Sequence, residues 1–321
     1  ADEATNYHMN LAVITITANM VTYAGTTIIY NPKDPNDIDT YQNATYINLV
    51  REARAAGLTP VFRLDVRVTQ DAQNGNYTST TIGNQWTNTQ PISIDDERTW
   101  FNSYTNFAVH YASLAQSLNI PLLIIGGDLS FIATDTPYTG LTTKSHTSPW
   151  GDPGVKCYGR RDCEWRHVIN AIHSATFKPL GSKHSISGGN YGGRLSFAAI
   201  VRTDVNGNNF LATPEWSTIT FWDDLDVIGI DAFFPLTNGV TEPTVAQLNL
   251  AWNGLLPAAQ SPNDTPTDIV SGLKKLSDQY GKRILFTAAG YESVSGCTSS
   301  PGTDNTGTTE DDAEQQNDMM A

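Results

Sequence analysis

Cysteine is scarce in this sequence, with three among 321 residues. No CxxC pair and no cluster of histidines accompanies them, which argues against a zinc site. Basic residues are also few. Nineteen Lys and Arg stand against 33 Asp and Glu, a net charge of −14. Such a balance disfavours nucleic acid and anionic membranes as partners. No apolar run reaches the roughly 18 residues of a membrane-spanning helix. The opening "ADEATNYHMN" has neither the basic start nor the apolar stretch of a secretion signal. None of the six His falls in HExxH or near a Ser in GxSxG, and no strand leads into GxGxxG or GxxxxGK[ST]. No metal and no cofactor is therefore expected.

What is present is polar without being highly charged. Charged residues make up 16% of the chain, while Asn, Thr and Ser abound. That composition suits an exported protein, so an extracellular or cell-surface location is expected. Cys157 and Cys163 flank "YGRRD", a spacing that can close a small disulfide loop. Cys297 is the odd one and is an alternative partner for either. Asn43, Asn76 and Asn263 open NxT triplets of the glycosylation type, a pattern frequent by chance in an Asn- and Thr-rich chain.

Apolar runs and amphipathic stretches alternate along the chain. "LAVITITA" (Leu11 to Ala18) is β-rich, and "TYINLVREARAAGL" (Thr45 to Leu58) has helical spacing and ends near Gly57. A strand follows at Thr59 to Val68. A helix at Asp95 to Asn119 opens with acidic residues, as the helix dipole favours. "IPLLIIGGDLSF" (Ile120 to Phe131) reads as a strand buried on both faces. Then come a helix at Cys163 to Ala175, a strand at Lys183 to Gly193, a strand at Leu225 to Leu236, a helix at Pro266 to Gly281, and a strand at Lys282 to Tyr291. Parallel βα units are the expectation, and a (β/α)8 barrel fits better than a doubly wound sheet. The six strands fall short of eight, with no room for the first and the last. The chain therefore reads as one barrel domain over residues 1–321, either a fragment or completed by another segment or chain.

Two long loops, residues 69–94 and 132–156, follow barrel strands and belong on the C-terminal face, where barrel sites sit. They carry Trp86 and Trp150 among many Asn and Thr. Aromatic rings stack on sugar faces while amides and hydroxyls bond sugar hydroxyls. A solvated polar loop has the same composition.

Three segments, "FNSYTNFAVHYASLAQSLNIPLLIIGGDLSF", "FWDDLDVIGIDAFFPLT" and "GKRILFTAAGYES", resemble glycoside hydrolase family 113 β-mannanases and the related TIM-barrel domain of gene transfer agents. The resemblance spans roughly Leu11 to Gln316. It implies a retaining mechanism, which needs two carboxyl groups about 5–5.5 Å apart. The family's acid/base, in a segment like "IGTEL", maps to Asp128 in "IGGDL". Its nucleophile, in a segment like "LFTEIGY", maps to Ala288 in "LFTAAGY". Both depart from the pattern. Asp for Glu withdraws the carboxyl by about 1.5 Å of chain, and a shift of about 1 Å costs on the order of a hundredfold in rate. Ala288 is more severe, because a methyl group can neither attack nor stabilise an oxocarbenium ion.

Other residues at strand ends are candidates for the same mouth. Asp65 in "FRLDVRV" ends the third barrel strand, and Asp231, ending the sixth, matches a structural or substrate-binding group of the family. Glu292 follows Ala288 by four residues and reads equally as a solvated loop residue. Asn190 and Tyr191 leave the strand before "GGR", and Tyr291 follows the last strand. Trp222 reads as a packing residue. Two functions stay open. One is a secreted hydrolase-like barrel that binds, or binds and cleaves, a β-linked polysaccharide such as mannan, with Asp231 or Glu292 as a substitute carboxylate. The other is a non-catalytic carbohydrate-binding or structural surface protein, a pseudoenzyme on a degenerate glycosidase fold.

Overall fold

A computed structural model describes residues 10–21, 25–30, 41–68, 94–127, 129–133, 146–147, 150–152, 156–175, 191–200, 214–238, 242–256, 268–299 and 301. Its six main strands are β1 (Leu11–Met20), β2 (Thr59–Val68), β3 (Leu122–Gly127), β4 (Arg194–Ala199), β5 (Val227–Asp231) and β6 (Ile284–Ala288). The longer helices are α1 (Tyr41–Ala55), α2 (Ile94–Ser117), α3 (Arg160–Ser174), α4 (Val245–Trp252) and α5 (Ile269–Tyr280). Parallel strands alternating with helices make this a partial (β/α)8 barrel. The chain divides into two compact units. One comprises Ala1–Phe197 and Ile219–Asp226, the other Ala198–Thr218 and Val227–Ala321.

In the first unit the strand order is β1-β2-β3-β4. β1 and β2 run parallel over ten residues, from Leu11 opposite Thr59 to Met20 opposite Val68. Side chains alternate across a strand. Ile14, Ile16, Ala18 and Met20 are buried on one face of β1, in register with Phe62, Leu64, Val66 and Val68 of β2. α2 lines up Trp100, Tyr104, Phe107 and Tyr111 at helical spacing, all buried. Two of their polar tips find partners, because a buried donor left alone is costly. The Trp100 indole donates to Met20 Sδ at 3.2 Å, and the Tyr104 hydroxyl donates to the Ile125 carbonyl at 2.5 Å.

Trp165 of α3 is the centre of the aromatic core. Its ring lies 5.6 Å from Phe101, 5.3 Å from Tyr104 and 5.1 Å from Phe197. Such pairs contribute about 0.5–1.5 kcal/mol each beyond area burial. The next residue, Arg166, explains the "WDD" motif. Its guanidinium donates to Asp162 at 2.9 Å, Asp223 at 2.8 Å, Asp224 at 2.6 Å and the Thr220 carbonyl at 2.7 Å. The 3-10 turn Phe221–Asp224 is thus clamped to α3, and Trp222 within it is buried. Asp226 then accepts from the Leu195 amide at 2.8 Å, which ties this segment to β4.

In the second unit β5 pairs with β6 in parallel. α4 opens with a capping box in which Thr244 and Gln247 bond each other's backbone amides. α5 is capped by Asp268 and stops at Gly281, whose φ of 63° is the left-handed conformation that glycine adopts without steric cost. Phe234 packs between Trp216 and Trp252, with ring centroids 5.5 and 5.1 Å away.

The expected strand at Lys183 to Gly193 is displaced. Residues 183–190 lie outside the described residues, Tyr191–Gly193 are not in a strand, and β4 begins at Arg194. A Cβ on Gly193 would collide with the Tyr191 hydroxyl and the Ile120 carbonyl, so the glycines mark a close approach before the strand. Of the two long loops, the described parts of the second hold a four-residue helix, Ser130–Ala133, and a two-residue antiparallel ladder, His146–Thr147 with Lys156–Cys157. Cys157 and Cys163 form a disulfide, and Cys297 is buried. Asn43 is fully buried and within 3.4 Å of the His110 ring. Burial removes it as a glycosylation acceptor. Asn76 and Asn263 lie outside the described residues. Among the described residues, no helix is long and apolar enough to cross a membrane.

Candidate active site

β5 and β6 end side by side. Ile228, Gly229 and Ile230 face Ile284, Leu285 and Phe286, but Asp231 faces Ala288, so β6 holds one extra residue, Thr287. An inserted residue of this kind bends the strand and re-aims a side chain. Here the Thr287 hydroxyl meets the Asp231 carboxylate at 2.7 Å, and the Ala232 amide closes on the Ala288 carbonyl at 2.7 Å. Asp231 and Thr287 are both buried. Ala288 is half-buried, and its side chain carries no group that can donate, accept or attack. Beyond it, Tyr291 is buried and its hydroxyl donates to the Phe234 carbonyl at 3.0 Å. Glu292 is half-buried.

The first unit holds the other described candidates. Asp65, near the C-terminal end of β2, is 8% exposed. Its Oδ2 accepts from the Arg67 side chain at 3.2 Å. Its Oδ1 is buried and has no hydrogen-bond partner among the described residues. Burial pushes this carboxyl above the usual Asp range, and the positive charges of Arg67 and Arg63 pull against that shift. Tyr191 is buried, with its hydroxyl donating to the Ile120 carbonyl at 3.0 Å. Trp150 stacks on His167 at 4.3 Å and donates its indole N–H to Glu164 at 2.5 Å. Tyr191, Tyr291 and Trp150 therefore all have packing roles within their units. Asp128, Trp86 and Asn190 lie outside the described residues.

The structure thus brings Asp231 and Ala288 together at adjacent strand ends, with Thr287 as their link. Thr287 was not legible as a functional residue, since only the extra residue in β6 turns it toward Asp231. Glu164 was not legible either, because it sits inside an ordinary amphipathic pattern. No group of three or more His, Cys, Asp or Glu side chains able to hold a metal occurs among the described residues.

Parallel strands alternating with helices, with Asp65 and Asp231 near strand ends, define a partial (β/α)8 barrel. Residues 2–137 match the model of Glycoside Hydrolase Family 113. Solved structures agree over nearly the whole chain. One GH113 β-1,4-mannanase superposes with a TM-score of 0.60 at 18% identity, covering 98% of this chain and 72% of that one. A complex structure of GH113 β-1,4-mannanase gives 0.59 at 18% identity with the same coverage. The GH113 β-mannanase AaManA from Alicyclobacillus acidocaldarius, in complex with ManMIm, gives 0.59 at 16% identity over 99% of this chain and 74% of that one. No curated protein matches the chain. The family match covers less than half of the chain, and the solved structures share its barrel fold.

Proposed function

We propose that this protein binds a β-linked polysaccharide of the mannan type on a hydrolase-like barrel that has lost its retaining chemistry. Ala288 carries the reading. It stands at the end of β6, beside a buried Asp231, where the family pattern has a glutamate nucleophile. The double displacement forms a covalent bond from that carboxylate to the sugar. A methyl group leaves no route to the intermediate.

Binding needs less than catalysis. The Asp65 Oδ1, buried and without a hydrogen-bond partner among the described residues, supplies an acceptor for a sugar hydroxyl. A neutral hydroxyl donor in that place would offset a penalty of about 1–3 kcal/mol. Trp86, Asn190 and Glu292 are the further candidates for contacts with the glycan. The Cys157–Cys163 disulfide supports an oxidising, exported setting, extracellular or on a cell surface.

A second reading, hydrolysis by an inverting pair drawn from Asp128, Asp231 and Glu292, has one observation in its favour. Asp231 is a buried carboxylate at the strand end next to Ala288. Thr287 already engages one of its oxygens.

Titration of the protein with manno-, gluco- and xylo-oligosaccharides, with a parallel assay for new reducing ends, separates the readings. Binding of β-linked manno-oligosaccharides without cleavage is expected. Cleavage abolished in Asp128→Asn would overturn the non-catalytic reading, and absence of binding to all three series would overturn the carbohydrate reading.

A further inference from the structure

β1 and β2 carry different chemistry on their two faces. One face is apolar and buried, and the Trp100 indole bonded to Met20 Sδ sets α2 against it. Side chains alternate along a strand, so the other face presents Thr15, Thr17 and Asn19 of β1 together with Arg63, Asp65 and Arg67 of β2. The register pairs them one to one, Thr15 with Arg63, Thr17 with Asp65 and Asn19 with Arg67. Paired strands lie about 4.8 Å apart, so these side chains form a continuous polar strip. It occupies the C-terminal half of both strands, the end at which barrel sites lie. Toward the other end the same face turns apolar, with Val13 beside Val61.

Barrel strands ordinarily fill their inner face with Val, Ile and Leu, because a polar group taken from water without a partner is costly. Hydroxyl, amide, guanidinium and carboxylate groups in one strip are poor core filling and suit a hydroxyl-rich ligand. Within the strip Arg67 reaches solvent, with 52% of its side chain exposed against 11% for Asp65. Its Nε donates to Asp65 Oδ2 at 3.2 Å, and among the described residues its two terminal nitrogens have no hydrogen-bond partner. Asp65 Oδ1 likewise has none. Spare donors and a spare acceptor therefore lie side by side. A planar fork already oriented by a buried carboxylate loses less freedom on binding than a loose surface arginine. The Asp65 charge offsets that of Arg67, and the chain as a whole carries −14, so a neutral ligand is favoured over an anion.

We infer that the strip is a sugar subsite in which Arg67 determines specificity by selecting a pair of adjacent ring hydroxyls. Such a pair supplies what the two side chains lack, an oxygen to accept from the Arg67 fork and a hydrogen to donate to Asp65. The inference rests on the carbohydrate reading proposed above and adds to it the group on the sugar that is read.

Calorimetric titration of the whole chain with β-1,4-mannotetraose, and with tetraoses lacking the 2- or the 3-hydroxyl, tests it. Arg67→Met is expected to weaken binding of the parent sugar about tenfold or more, since a hydrogen bond from a charged donor is lost. Arg67→Lys is expected to recover only part, because an ammonium cannot reproduce the fork. The wild type is expected to lose about tenfold toward at least one deoxygenated sugar, whereas Arg67→Met binds that sugar and the parent alike. A purely structural role would not remove this dependence on a single hydroxyl. Undiminished binding of mannotetraose by Arg67→Met, or an equal loss on deoxygenation in both proteins, would overturn the inference and leave the carbohydrate reading standing. Absence of wild-type binding to manno-, gluco- and xylo-oligosaccharides alike would overturn both. Thermal melts verify that the variants fold, and should Arg67→Met not fold, Arg67→Lys decides, with wild-type affinity as the overturning result.

Discussion

The Thr287 hydroxyl donates to the Asp231 carboxylate at 2.7 Å because β6 carries one residue more than β5 at this point. That bond sits one residue before Ala288. Thr287→Val keeps the shape and removes the donor, at an expected loss of about 1–3 kcal/mol in urea unfolding. Thr287→Ser is expected to recover most of it. Equal stability of all three proteins would show that the bond contributes nothing.

On the proposed reading, Ala288→Glu supplies the strand end with the carboxylate that the retaining mechanism needs. New reducing ends from manno-oligosaccharides are expected at least about tenfold above the wild-type background, since a carboxylate there reinstates covalent attack. No gain, in a variant that still binds the sugar, would place the defect elsewhere, first in the shortened Asp128.

Arg166 collects three carboxylates, and its Asp162 partner is buried with it. Arg166→Met leaves the buried Asp162 without its countercharge. Removing one partner of a buried pair costs about 3–5 kcal/mol. Arg166→Lys is expected to recover only part of this, because an ammonium cannot reproduce the planar fork. Thermal melts of the two variants check the order.

Glu164 makes global stability depend on pH. Its carboxyl is raised in the folded state, so the folded protein holds the proton longer than the unfolded chain. Stability is expected to decline from about pH 4.5 to about 7 by on the order of 3 kcal/mol at most, then level off. Denaturant midpoints of wild type and Glu164→Gln across that window measure it, and the variant is expected to lose the slope.

Reducing Cys157–Cys163 opens a loop of only a few residues. The expected loss is about 2 kcal/mol, because short loops constrain the unfolded chain little. A melt with and without reductant reads this out. Cys297 is buried and is expected to resist thiol reagents until the protein unfolds.

Much of the barrel was legible in the chain. β2 falls at Thr59–Val68 as predicted, and β1 extends only two residues beyond its predicted end. Long helices such as α2 were placed within a few residues, since amphipathic spacing over many turns leaves little choice. β4 was misplaced because its glycine-rich approach reads like a strand exit, whereas the glycines serve a close contact beside Tyr191. α4, eight residues long, was missed for want of repeats in so short a pattern.

The site divides the same way. Strand ends are local features, so the sequence by itself placed Asp65, Asp231 and Ala288 near the ends of strands. What touches them is not local. Only the tertiary structure decided that Thr287 engages Asp231, that Asp65 keeps one oxygen buried without a described partner, and that Trp150 leans on Glu164 and His167. Those outcomes depend on strand register and on burial. A single inserted residue changes the first, and the second is set by side chains tens of positions away, so neither is written in the local pattern.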